Sequence, residues 1–216
     1  MRWLRGSTPS PVRPAAQPDA VPRARRRCIG LGEFLRDLRG TDERRPCVLD
    51  LGPTSPANIT FLAERNIHVY NQDVLRSAKD PEVFSRQEDG SNRLDLEKFF
   101  AENLAYPEAH FDSVLCWDVA DYLPEELVKP VMDKLYAVLK PHGSLLAFFH
   151  TKDAGPEAPY CRYHIVQPDT LELEPTPGER LQRIFNNRHI ENLFKDFSSR
   201  KFFLGRDNLR EVIVLR

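Results

Sequence analysis

Nothing in this 216-residue chain approaches the roughly 20 consecutive apolar residues that cross a bilayer, so no membrane-spanning segment is expected. Cysteine is scarce and scattered. Cys28, Cys47, Cys116 and Cys161 form no C-x-x-C pair, which argues against a zinc site or a disulfide framework. The reading is four reduced thiols in a cytoplasmic protein, with no metal. An excess of charge is missing too. The 31 Lys and Arg against 32 Asp and Glu leave a net charge of -1, which gives no pull toward nucleic acid. Glycine is thin, ten residues in all, and no G-x-G-x-x-G occurs. That absence weighs against an NAD(P)-dependent oxidoreductase.

What is present is a hydrophobic share of 41% beside 29% charged residues, enough for one packed domain. The basic residues are unevenly placed. Seven arginines and five prolines crowd the first 27 residues, with Asp19 the sole acid there. Such a segment buries too little apolar area to offset its ordering entropy. Residues 1–28 are therefore expected to be a disordered basic tail, and 29–216 a single domain.

Along that domain, GEFLRDLRG from Gly32 reads as a short amphipathic helix. Cys47–Leu51 is an apolar run broken only by Asp50, as in a central parallel strand. Ser55-Pro56 then reads as a cap and first turn, with Ile59, Leu62 and Ala63 as the buried stripe. IHVYNQDV is a second strand ending at Asp73, and the stretch from Leu75 to Asn103 is ambiguous between helix and strand. FDSVLCWDV is a third strand. The helix from Pro124 repeats Leu127, Val131, Leu135 and Val138, and Pro130 is expected to kink or shorten it. SLLAFFH is another strand, Asn187 to Phe197 a helix, and KFFL with REVIVLR an antiparallel hairpin. Alternating strands and helices imply a parallel sheet with helices on both faces.

Four stretches carry a family resemblance: VLDLG (Val48–Gly52), Asp73 lying 21 residues beyond Gly52, AENLAYPEAHFDSVL (Ala101–Leu115) and LKPHGSLLAFF (Leu139–Phe149). In order and spacing the chain resembles the class I S-adenosylmethionine-dependent methyltransferases. The resemblance implies a Rossmann-like three-layer sandwich, with a seven-stranded, mostly parallel sheet and an antiparallel C-terminal hairpin strand. It implies S-adenosylmethionine as cofactor, with Asp50, Gly52, Pro53, Thr54, Ser55, Asp73, Phe100, Ala101, Trp117 and Asp118 lining its site. Asp73 is then the ribose ligand or the cap of a following helix, and its place beyond a strand end favours the ligand. Two departures stand out. Phe100 occupies the place where the family commonly has an acid, and Thr54 and Pro56 replace the second and third glycines of the loop. The sulfonium cofactor has no pyrophosphate to be approached closely, so that loop counts against NAD more than against S-adenosylmethionine.

Candidate bases for deprotonating an acceptor are Asp118, Asp121 and His150, each at a strand end. Each also has a structural alternative as a loop brace, a helix cap or a strand-end residue. Thr151 to Arg183, with Tyr160, Arg162, Tyr163 and His164, is either a substrate lid or an edge strand packed on the sheet. The acceptor is expected to be a small molecule, with no nucleic acid or membrane partner, and the oligomeric state is open. The rival reading is a non-catalytic relative that keeps the fold for binding.

Overall fold

The computed structural model describes residues 23–38, 44–155, 157–205 and 207–216. In chain order the strands are β1 (Ala24–Arg27), β2 (Cys47–Asp50), β3 (His68–Asn71), β4 (Phe84–Arg86), β5 (Asn92–Leu94), β6 (Phe111–Trp117), β7 (Leu139–His150), β8 (Cys161–Gln167), β9 (Thr170–Pro175), β10 (Ser199–Leu204) and β11 (Leu209–Leu215). The helices are α1 (Ile29–Asp37), α2 (Pro56–Ala63), α3 (Val74–Ser77), α4 (Leu96–Glu102), α5 (Val119–Tyr122), α6 (Glu125–Val138) and α7 (Asn187–Leu193).

The main sheet runs β10-β11-β7-β6-β2-β3. Its β7, β6, β2 and β3 are mutually parallel, and β11 lies antiparallel between β7 and β10. The reversed terminal hairpin is as expected. The strand count is corrected from seven to six, because β4 and β5 in the ambiguous stretch pair only with each other. Both faces are covered. Leu49, Val114, Leu145 and Val212 pack with Leu127, Val131 and Leu135 of α6, while Val48, Leu115, Leu146 and Ile213 pack with α1 and α2. Alternate residues of each strand thus feed opposite cores, as the two-residue period of a strand requires. Pro130 lies inside α6 without ending it.

The start of the chain also needs correction. Residues 1–22 lie outside the described residues, but Ala24–Arg27, assigned above to the disordered tail, form β1. It joins β9 and β8 in a second, three-stranded antiparallel sheet. The three arginines alternate. Arg25 and Arg27 point outward to Glu172 (2.7 Å) and Asp169 (3.0 Å). Arg26 points inward, buried, to Asp207 and to Glu211 of β11 (3.0 Å). Glu211 also accepts the Gly30 amide at 2.5 Å, so one buried carboxylate joins β1, α1 and β11. β8 and β9 come from the segment after β7. They add no edge strand to the main sheet, and instead pair with β1 in the second sheet, with β8 lying over the first turn of α2.

Candidate active site at the strand ends

β2 ends in Asp50, and the chain turns through Gly52 to Ser55. The Ser55 hydroxyl caps α2 by accepting the Asn58 amide at 3.2 Å, with Pro56 opening the helix as expected. The buried stripe of α2 is corrected. Leu62 is buried as expected, but Ile59 is 41% exposed and Ala63 is exposed too, and Asn58 and Phe61 face inward in their place. The rotation has a polar cause. Asn58 Nδ2 donates to Asp50 Oδ2 and to the Tyr163 carbonyl, both at 3.0 Å, and its Oδ1 accepts the Ile165 amide at 2.7 Å. One side chain thereby ties α2, the strand end of β2 and the backbone of β8.

Asp50 is buried and well supplied with donors. Its Oδ1 accepts from Trp117 Nε1 (2.6 Å) and the Gly52 amide (3.2 Å). Burial raises its pKa, and these donors together with Asn58 only partly offset that. The Trp117 indole stacks on Tyr163, with centroids 5.0 Å apart, and lies against Gly52. A Cβ added at Gly52 would stand 3.0 Å from Trp117 Cδ1. The glycine is needed here for close approach of the chain's own tryptophan.

Asn71, the last residue of β3 and in register with Asp50, donates to the carbonyls of Asp50 (3.1 Å) and Gly52 (2.9 Å). It accepts from Thr54 Oγ1 at 2.5 Å. Asp73, two residues on, caps α3 by accepting the Arg76 amide at 3.1 Å, and it stays half-buried at the rim. Phe100 is half-buried in α4, edge-on to Phe99, with Ala101 exposed beside it. Pro53 and Thr54 border the same rim. The expected residues therefore separate into a buried knot (Asp50, Gly52, Ser55, Trp117 and Asp118) and an accessible border (Pro53, Thr54, Asp73, Phe100 and Ala101).

Beyond β6 the polar groups change character. Asp118 is fully buried. Its Oδ2 accepts the Tyr163 hydroxyl at 2.8 Å, and its Oδ1 has no partner among the described residues. Burial pushes its pKa up to about 7, held back in part by the nearby His150 and the Tyr163 hydroxyl. The buried Tyr160 hydroxyl is also without a partner. Burial, together with the fields of Asp118, Asp73, Glu179 and Asp50, raises its pKa well above normal. Asp121 Oδ2 accepts the His150 amide (2.6 Å) and pairs with His150 Nδ1 (2.9 Å). Burial opposes a charge on His150, but the bond to Asp121 and the fields of Asp118, Asp121 and Asp207 outweigh it and raise its pKa. Asp118, Asp121 and His150 thus meet at one place. Among the described residues no group of three or more His, Cys, Asp or Glu is arranged to hold a metal ion, and no helix is long and apolar enough to cross a membrane.

Sequence reasoning missed Asn58, Asn71 and Tyr160 as parts of this region. Asn58 carried a signal: a polar residue at the third helical position, directly before the apolar stretch of α2.

A family model described as a methyltransferase domain matches residues 23–198, beginning one residue before β1. The chain belongs to this methyltransferase domain family. A search of curated proteins gave no match. Among solved structures, the chain is similar to a SAM dependent methyltransferase from Archaeoglobus fulgidus, with 12% identity and a TM-score of 0.52 over 86% of this chain and 91% of that one. It is also similar to a SAM-dependent methyltransferase from Methanosarcina mazei, with 14% identity and a TM-score of 0.51 over 84% and 96% of the two chains. At such identities the likeness establishes the methyltransferase fold, in agreement with the strand order.

Proposed function

We propose that the protein is an S-adenosylmethionine-dependent methyltransferase acting on a small molecule, with the cofactor across the ends of β2, β3 and β6. The observation that carries this reading is two buried oxygens unpartnered among the described residues, Asp118 Oδ1 beside Asp121 and Tyr160 Oη in the field of Asp118, Asp73, Glu179 and Asp50. A site with surplus negative charge and free acceptors suits a cationic group, here a sulfonium or ammonium. The accessible border suits the rest of the cofactor. Thr54 and Asp73 offer oxygens to ribose hydroxyls, and Phe100 offers an apolar surface to a ring. When bound, the cofactor supplies a methyl group on an already activated sulfur.

The chain's own residues then have distinct tasks. Asp118 holds negative charge beside the reacting centre, and Trp117 with Tyr163 excludes water from its inner side. Asp121 fixes the His150 ring through Nδ1. That leaves Nε2, which no hydrogen bond among the described residues engages, to take a proton from the acceptor. The hollows beside this pair, about 520 and 320 Å³, are of metabolite size.

A second reading, a non-catalytic binding protein, is favoured by one feature. Trp117 lies on Gly52, and both Asp50 oxygens are committed to protein donors. Calorimetric titration with S-adenosylhomocysteine, beside an Asp73→Ala variant, separates the two. The methyltransferase reading expects binding that the variant weakens about tenfold or more. A folded wild-type protein that gives no heat supports the binding protein instead.

A further inference from the structure

The end of β7, the approach to α7, α7 itself and β11 enclose a hollow of about 520 Å³ whose walls include Thr151, Lys152, Phe185, Arg188 and Arg210. Its lining contains three cations and no carboxylate. No ion pair among the described residues engages Lys152, Arg188 or Arg210, whereas the cations of β1 all have carboxylate partners. The Thr151 hydroxyl is buried there without a partner. An adjoining hollow of about 320 Å³ shares Lys152 and Ile184 with it and adds Arg183, whose Nε is buried and unpartnered. Like charges gathered around one cavity repel each other, and an anion relieves that repulsion.

The position of this hollow connects it with the His150–Asp121 pair. Thr151 follows His150 directly. Gln182 and Arg183, which line the adjoining hollow, donate their backbone amides to the Asp121 carbonyl at 2.9 and 3.3 Å. Phe185 and Ile184 supply an apolar surface for a carbon body.

Resting on the methyltransferase reading, we infer that the methyl acceptor is a small anion. Its phosphate or carboxylate is held by Lys152, Arg188 and Arg210, and its nucleophilic end lies toward His150. The guanidinium groups match either anion through paired N–H donors. The charge fixes the acceptor's orientation, and the Phe185 surface holds its carbon skeleton.

The test is equilibrium binding of four probes to the full chain: inorganic phosphate, phenyl phosphate, benzoate and the neutral benzyl alcohol. The same titrations are run on an Arg188→Gln/Arg210→Gln variant and on the charge-keeping Arg188→Lys/Arg210→Lys variant. Phenyl phosphate or benzoate is expected to bind at least tenfold more tightly than benzyl alcohol, and to weaken with added salt. The glutamine variant should lose about tenfold and the lysine variant should retain most of the affinity, both with unchanged S-adenosylhomocysteine binding. The two aromatic anions distinguish a phosphate from a carboxylate site. Equal binding of benzyl alcohol, or anion binding untouched by the glutamine variant, overturns the inference. Cofactor binding without anion binding sinks this inference alone. Anion binding without cofactor binding sinks the methyltransferase reading, and with it the assignment of the anion as a methyl acceptor.

Discussion

At the scale of single residues, the informative side chains are those whose needs are unmet. Asp118 follows a buried strand, has one hydrogen-bond donor, and is pushed up to about 7. A carboxyl raised in the folded state binds its proton more tightly there than in the unfolded chain. Its contribution to stability is therefore greatest at acid pH, and is lost as pH rises from the ordinary carboxylate range through about 7. Asp118→Asn removes that dependence. The variant is expected to gain on the wild type by up to roughly 4 kcal/mol at pH 8, with the gap closing toward pH 4, as urea unfolding at the two values would show. A constant difference across that range contradicts the assignment. The type of this residue was legible, since an acid after a buried strand is a candidate site group. Its partners were not. Tyr163, its hydrogen-bond donor, lies more than forty residues away, and only the placement of β8 brings it there.

At the scale of elements, periodicity served well where one face meets one core. α6 buries the leucines and valines that its spacing indicated. α2 followed its apolar residues only in part, burying Phe61 and Leu62 but not Ile59, because Asn58 makes three hydrogen bonds on the buried face. Asp73 was expected as a ligand ahead of a cap because it lies beyond a strand end, and in the structure it caps α3 while staying half-buried. β1 was illegible for a different reason. Three consecutive arginines look like a solvated tail until Glu172, Asp169 and Glu211 arrive from distant strands. Arg26→Met should leave the Glu211 carboxylate buried and uncompensated, at a cost of about 3–5 kcal/mol in denaturant unfolding. Adding Glu211→Gln to that variant should recover much of the loss. If Arg26→Met alone is neutral, β1 is not the integral strand described here.

At the scale of the whole molecule, the sheet order and reversed hairpin agree with the methyltransferase fold, and a second, three-stranded sheet packs beside the main one. The second sheet, through β8, packs against Trp117 and the start of α2, while Pro53, Asp73 and Phe100 stay half-buried and Thr54 is exposed. The basic hollow draws its cations from three places, Lys152 after β7, Arg188 of α7 and Arg210 of β11. The main strands and the terminal hairpin were readable because each strand carries its own hydrophobic pattern, whereas their order in the sheet was not. The crevice was only partly readable, because its character comes from Trp117 and β8 filling the space over a glycine loop that lacks its second and third glycines.

The central claim is that this crevice receives a cation through Asp118. The direct measurement is the ratio of affinities for S-adenosylmethionine, which carries the sulfonium, and for the neutral thioether S-adenosylhomocysteine. Calorimetry at pH 8, where Asp118 is ionised, would compare the wild type with Asp118→Asn. The account predicts that the wild type prefers the sulfonium by about tenfold, or roughly 1.4 kcal/mol, and that the variant binds both within about twofold. An unchanged ratio in the variant, or no binding of either ligand by folded wild-type protein, would contradict it.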